Sequence, residues 1–131
     1  MIGGRVLDAS ALLDAATGRT IYLRAFLRTA VEVGVVLLVP ATALQDAWAA
    51  SDEAARVFLD GFLDHGVAVV QPLTATTARA AGLAGATARG PYTTTAAQVV
   101  ACALERGWPV MTTDPRPLEA IDPHVLIERL P

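Results

Sequence analysis

The sequence predicts an α/β domain with a mostly parallel sheet covered by helices on both faces. Short apolar runs alternate with helical segments along the whole chain. Asp8 and Asp114 each close one of those runs, and Gly or Pro marks most of the boundaries between segments. At 131 residues the chain reads as one domain, 1–131, long enough to bury a sizeable core. Apolar residues make up 53% and charged residues 18%, a richer apolar share than an ordinary soluble domain carries.

The elements follow in order. Arg5-Val6-Leu7-Asp8 reads as a first strand, and Ser10 to Asp14 opens a helical turn. In the segment Ile21 to Val33, residues Ile21, Leu23, Phe26, Leu27, Ala30 and Val33 fall near helical spacing, and Gly34 stops it. Val35 to Val39 is apolar and rich in β-branched residues, the pattern of a strand buried on both faces. Pro40 precedes a helix through Ala41 to Trp48, and Ser51-Asp52-Glu53 starts another that ends at His65-Gly66. Val67 to Val70 is a third strand, followed by an alanine-rich helix from about Thr74 to Arg89 with Gly82 and Gly85 in its middle. After the Gly90-Pro91 break, Thr95 and Gln98 have the spacing of a capping box. Val99, Val100, Ala103 and Leu104 would form the buried face of that helix, and Gly107 closes it. Pro109 to Asp114 is a fourth strand, Pro115 to Ile121 a short helix, and Val125 to Leu130 a last, edge strand.

Composition excludes several function classes. The net charge of −3 argues against a generic polyanion binder, so any nucleic-acid contact would need a local arginine patch. Arg19, Arg24, Arg28, Arg79 and Arg89 are candidates for such a rim, though scattered solvated arginines read the same way. Every basic residue is Arg, which removes a lysine base, a Schiff base and a P-loop lysine. No apolar stretch reaches membrane-spanning length, and Met1 to Arg5 lacks signal-peptide architecture, so the expected location is cytoplasmic. Cys102 sits in an apolar helical pattern and reads as a small buried hydrophobe. His65 at a helix end and His124 in a turn lack the spacing of a metal pair.

In a parallel sheet the site lies beyond the carboxyl ends of the strands, where Asp8 and Asp114 fall. Taken alone, Asp114-Pro115 is also a good helix start, with Asp as cap and Pro at the first helical position. Asp8 could cap a helix too, and Asp46 alone could be a solvated helix residue. A phosphoacceptor domain would need a late lysine, and a dehalogenase-like phosphatase a second aspartate where Ser10 stands. No glycine-rich phosphate loop is present. What remains is a carboxylate site suited to Mg²⁺ or Mn²⁺ and phosphodiester hydrolysis.

Arg5-Val-Leu-Asp8-Ala-Ser10, Val39-Pro40 through Asp46, and above all Ala96 through Thr112-Thr-Asp114 resemble the PIN domains, most closely the small VapC-type toxin ribonucleases. The resemblance implies a three-layer α/β/α sandwich, a divalent metal and endonucleolytic cleavage of RNA by the toxin of a type II toxin–antitoxin system. It implies Asp8, Asp46 and Asp114 as catalytic metal ligands, with Ser10 and Thr112 at the substrate. A cognate antitoxin would plug the acidic pocket. A homodimer is expected from the same resemblance, from the apolar content and from the helix over Ile21 to Val33.

The chain departs from the pattern at three places. Asp46 stands where the resemblance expects glutamate, a retreat of about 1 Å, and misplacement on that scale can cost about 100-fold in rate. Ala96 stands where a third aspartate is expected, and no acid occurs from His65 through Leu104. Arg116 and Pro117 occupy the region of a further acid. Water or the Thr95 hydroxyl could stand in at the missing position, leaving a site for a single ion or none. Two readings follow: a metal-dependent endoribonuclease of weak or lost activity, and a non-catalytic PIN-like domain that binds RNA or a protein partner.

Overall fold

A computed structural model of the chain describes residues 3–131. Five strands form one sheet in the order β3-β2-β1-β4-β5, and every neighbouring pair is parallel. They are β1 (Gly4–Leu7), β2 (Val36–Pro40), β3 (Ala68–Gln71), β4 (Val110–Thr112) and β5 (Ile127–Arg129). The helices are α1 (Ala9–Thr17), α2 (Tyr22–Val33), α3 (Ala41–Ala50), α4 (Glu53–Leu63), α5 (Ala75–Ala86), α6 (Thr94–Arg106) and α7 (Arg116–Glu119).

The sandwich follows from the strand sequences. Successive strand residues point to opposite faces, yet Val6, Leu7, Leu37, Leu38, Val39, Val110 and Met111 are all buried, so helices must cover both faces. α1, α2 and α4 pack as one helical group, and α5 and α7 pack on α6 as another; α3 touches both α1 and α6. The chain starts at the centre of the sheet, builds outward through β2 to β3, and then returns to the other side of β1. The connections after β1 and β4 therefore diverge, the topology that makes a crevice at the carboxyl ends of such a strand pair.

Gly34 and Gly107 end α2 and α6 as expected, each in the left-handed conformation at φ 76° and 67°. Other expectations change. The start of α6 is capped by Thr93, whose hydroxyl accepts the Ala96 N–H, so Thr95 and Gln98 form no capping box. Gln98 is 1% exposed: its Oε1 accepts the N–H and hydroxyl of Thr42, and its Nε2 donates to the Gln71 carbonyl. The buried face of α6 wins over the local capping signal because Gln98 ties the end of β3 to the start of α3. Leu104, expected in that face, is exposed, as are Ile21 and Val33 of the α2 pattern. A capping box does occur at Thr74 and Thr77, and α5 runs unbroken through Gly82 and Gly85.

Candidate functional site

Asp8 leaves β1 and caps α1, its Oδ1 accepting the Ala11 N–H at 2.9 Å. The Ser10 hydroxyl donates to the same oxygen at 2.6 Å and accepts the Thr113 N–H at 3.0 Å. One hydroxyl thus pins the end of β1 to the end of β4. The Thr112 hydroxyl is fully buried, lies 3.3 Å from that of Ser10, and accepts the Asp114 N–H at 3.1 Å. It shapes the turn that directs Asp114 away from the strand. Ser10 and Thr112 therefore lie beside Asp8 at the strand ends, with their hydroxyls engaged in joining β1 to β4.

Burial pushes the Asp8 carboxyl above its ordinary value; the hydroxyls of Ser10 and Thr112 and the N–H of Ala11 only partly offset that. A carboxylate held at a strand end against its own desolvation is an unfavourable arrangement for the fold, and such arrangements concentrate at functional sites.

Asp114 is in a different state. Arg116 Nε and Nη2 donate to Oδ1 and Oδ2, each at 2.9 Å, and the Arg116 N–H adds a bond to Oδ1 at 3.1 Å. These bonds hold the carboxyl at about 2. The cap position of the short helix falls on Pro115, one residue later than expected, yet the Asp114 carboxylate still accepts the Arg116 N–H at the helix start. Asp46 lies exposed on α3, and its Oδ2 accepts the Thr95 hydroxyl at 2.6 Å. The hydroxyl expected to stand in for a ligand at position 96 is thereby turned toward Asp46. Ala96 itself is buried and offers no donor.

The fit to a divalent ion can be tested on these donors. Mg²⁺ takes octahedral oxygen ligands at about 2.1 Å and needs at least one or two carboxylates facing it. Among the described residues no three His, Cys, Asp or Glu side chains come together as a metal-holding group. Asp114 faces a guanidinium, and Asp46 is bound to Thr95. Ser10 and Ala11 bond Oδ1 of Asp8, and Thr95 bonds Oδ2 of Asp46, so neither carboxylate has both oxygens engaged as Asp114 does. The residues as arranged do not fit a resident divalent metal.

In sequence Arg116 registers only as an absent acid, whereas in the fold it is a cation paired with one. Of the five arginines considered for a rim, Arg24 and Arg28 line one cavity beside α2 and α4. Arg19 pairs with buried Asp14, Arg24 donates to the carbonyls of Ala15 and Ala16, and Arg89 donates to that of Glu119.

An all-parallel, five-stranded sheet in this order, flanked by helices and with acids at the ends of its central strands, defines a PIN-like fold. Solved structures agree along the whole length. A chain of VapBC2 from Rickettsia felis, bound to a DNA fragment from its promoter, matches with a TM-score of 0.77 at 12% identity, over 98% of this chain and 99% of that one. A chain of DNA-bound VapBC from Salmonella typhimurium matches with a TM-score of 0.71 at 19% identity, over 98% of each. FitAcB from Neisseria gonorrhoeae gives 0.65 at 14% identity, over 94% of this chain and 95% of that one. At these identities the likeness shows the fold. No family model and no curated protein matches the sequence.

Proposed function

We propose that this protein is the toxin-type member of a toxin–antitoxin pair, built on the PIN fold, with Mg²⁺- or Mn²⁺-dependent endoribonuclease activity that is weak or lost. The observation that carries the reading is the state of the acidic crevice: Asp8 is kept at the end of β1 against its desolvation, while Asp114 is closed by Arg116 and position 96 is Ala. The first feature is what a nuclease site of this fold needs. The other two remove ligands from it. A hydrolytic site that has lost one carboxylate and had a second neutralised stabilises an attacking water and a developing phosphate charge less well.

The whole-length likeness to chains of VapBC and FitAB complexes supports a partner of the antitoxin kind. So does an apolar cavity of about 690 Å³ between α2 and α4, at the opposite end of the sheet from the crevice. Leu27, Val31, Val57, Phe58 and Phe62 line it, and Val31 and Val57 are exposed. Contiguous exposed apolar surface of this kind marks a protein-binding face. A second reading, a non-catalytic PIN-like domain that binds RNA or a protein, is favoured by the closed Asp114 pair together with Ala96 and the shortened Asp46. A homodimer belongs to the proposal, and gel filtration giving a monomer would remove it.

Mn²⁺-dependent cleavage of a structured RNA by the native chain, Asp8→Asn and Ala96→Asp tests the proposal. Weak native cleavage that disappears in Asp8→Asn supports a reduced enzyme. No native cleavage, with activity appearing in Ala96→Asp, supports a nuclease fold that has lost its chemistry. Inactivity of all three proteins, Ala96→Asp included, would count against any ribonuclease origin for the crevice.

A further inference from the structure

Each carboxylate of the crevice already has a partner within the chain. Asp8 is held by Ser10 and Ala11, and Asp46 by Thr95, all of them neutral donors. Asp114 alone is held by a cation, through two side-chain bonds and one backbone bond from the same residue. The planar fork of a guanidinium matches the two oxygens of a carboxylate, so this pairing occupies both oxygens at once. Only Pro115 separates the partners, with φ at −76°, and the short turn keeps them in register.

We propose that Arg116 is the resident counter-ion of the acidic crevice: it neutralises Asp114 from within, and a divalent cation reaches that carboxylate only by displacing it. The inference rests on the reading of an eroded acidic site and adds a residue-level cause to it. Ala96 removes a ligand, and Arg116 occupies one that remains. The block is a shallow one. Arg116 is 87% exposed and the Asp114 side chain 43%, so water and salt screen the pair. Removing it should strengthen divalent-ion binding by about two- to fivefold, and more at low ionic strength than at high.

The test is Mn²⁺ binding followed by the loss of the free-ion electron paramagnetic resonance signal. Five proteins are compared: native, Arg116→Gln, Ala96→Asp, Ala96→Asp with Arg116→Gln, and Arg116→Gln with Asp114→Asn. Arg116 is exposed, so its replacement leaves the core intact, and a thermal melt checks this. The expected result is tighter Mn²⁺ binding in Arg116→Gln in either background, with the gain abolished by Asp114→Asn. Equal affinity with and without Arg116, or a gain that survives Asp114→Asn, overturns the proposal. So does an absence of measurable binding in every protein, because restoring the acid and removing the counter-ion would then have failed to open the site. The readout is binding, so it stands apart from RNA cleavage: inactive proteins that still show the Arg116 effect would leave this inference in place and remove only the ribonuclease reading.

Discussion

Replacing Gln98 by Ala separates two accounts of one residue by a wide margin. As an exposed capping partner, Gln98 would contribute about 1 kcal/mol or less. In the fold it is buried and bonds two groups of Thr42, itself buried, and the carbonyl of Gln71. Gln98→Ala leaves the Thr42 N–H and hydroxyl without partners, at about 1–3 kcal/mol each. The Gln71 carbonyl belongs to a half-exposed residue and can take a water instead. Removing the aliphatic part of the side chain adds about 0.8 kcal/mol per methylene. The sum is roughly 3–7 kcal/mol, a large share of the stability of a domain this size. Urea unfolding should show the midpoint falling with little change in slope, and the melting temperature should drop by roughly 11–25 °C. A loss of 1 kcal/mol or less would refute the buried network and restore the capping account. Thr93→Ala should instead show the ordinary cap penalty of about 1 kcal/mol.

Asp8→Asn should stabilise the fold at neutral pH. The folded carboxyl is raised above 3.8, so below that pH both states hold the proton and the residue is without effect. As pH rises from 3.8 through the raised folded value, the unfolded chain loses its proton first and folding is opposed, so the advantage of Asn grows over that window; melts that show Asp8→Asn less stable than native at pH 7 would contradict this. For Asp114, held at about 2, the sign is reversed: its contribution is present above 3.8 and lost as pH falls toward 2, and added salt should weaken it. Gly4→Ala would place a Cβ 2.5 Å from ring atoms of Trp108, and the overpacking should cost about 1–3 kcal/mol and shift the tryptophan emission; an unchanged spectrum and stability would show that the ring moves freely. Cys102, buried and pushed up to about 11, should resist a thiol reagent at pH 8 in the native protein and react at once in urea; rapid native labelling would mean that α6 opens.

Much of the fold was legible because its signals are local. Apolar strands, the glycine stops at Gly34 and Gly107, and the breaks at Pro40 and Gly90-Pro91 depend on backbone preferences that act within a few residues. Local signals failed where burial competed with them. Thr95 and Gln98 have the right spacing for a cap, but spacing cannot reveal that Gln98 turns inward to Thr42 and Gln71. Leu104 and Ile21 fit an apolar stripe that the packing does not use.

The same division holds for the crevice. Composition and strand direction are enough to put Asp8 and Asp114 at the carboxyl ends of the central strands, to show that Ala96 cannot ligate, and to show that no acid lies between His65 and Leu104. The condition of each acid is set by contacts made in the folded chain. Whether Asp8 is desolvated, whether Thr95 turns to Asp46, and whether Arg116 grips Asp114 depend on distances of a few ångströms between side chains. The Asp114–Arg116 pair is near in sequence, but its bidentate geometry depends on how the chain leaves β4, where the Thr112 hydroxyl accepts the Asp114 N–H. Electrostatics at that range is set by orientation and water exclusion, which a linear order of residues does not specify.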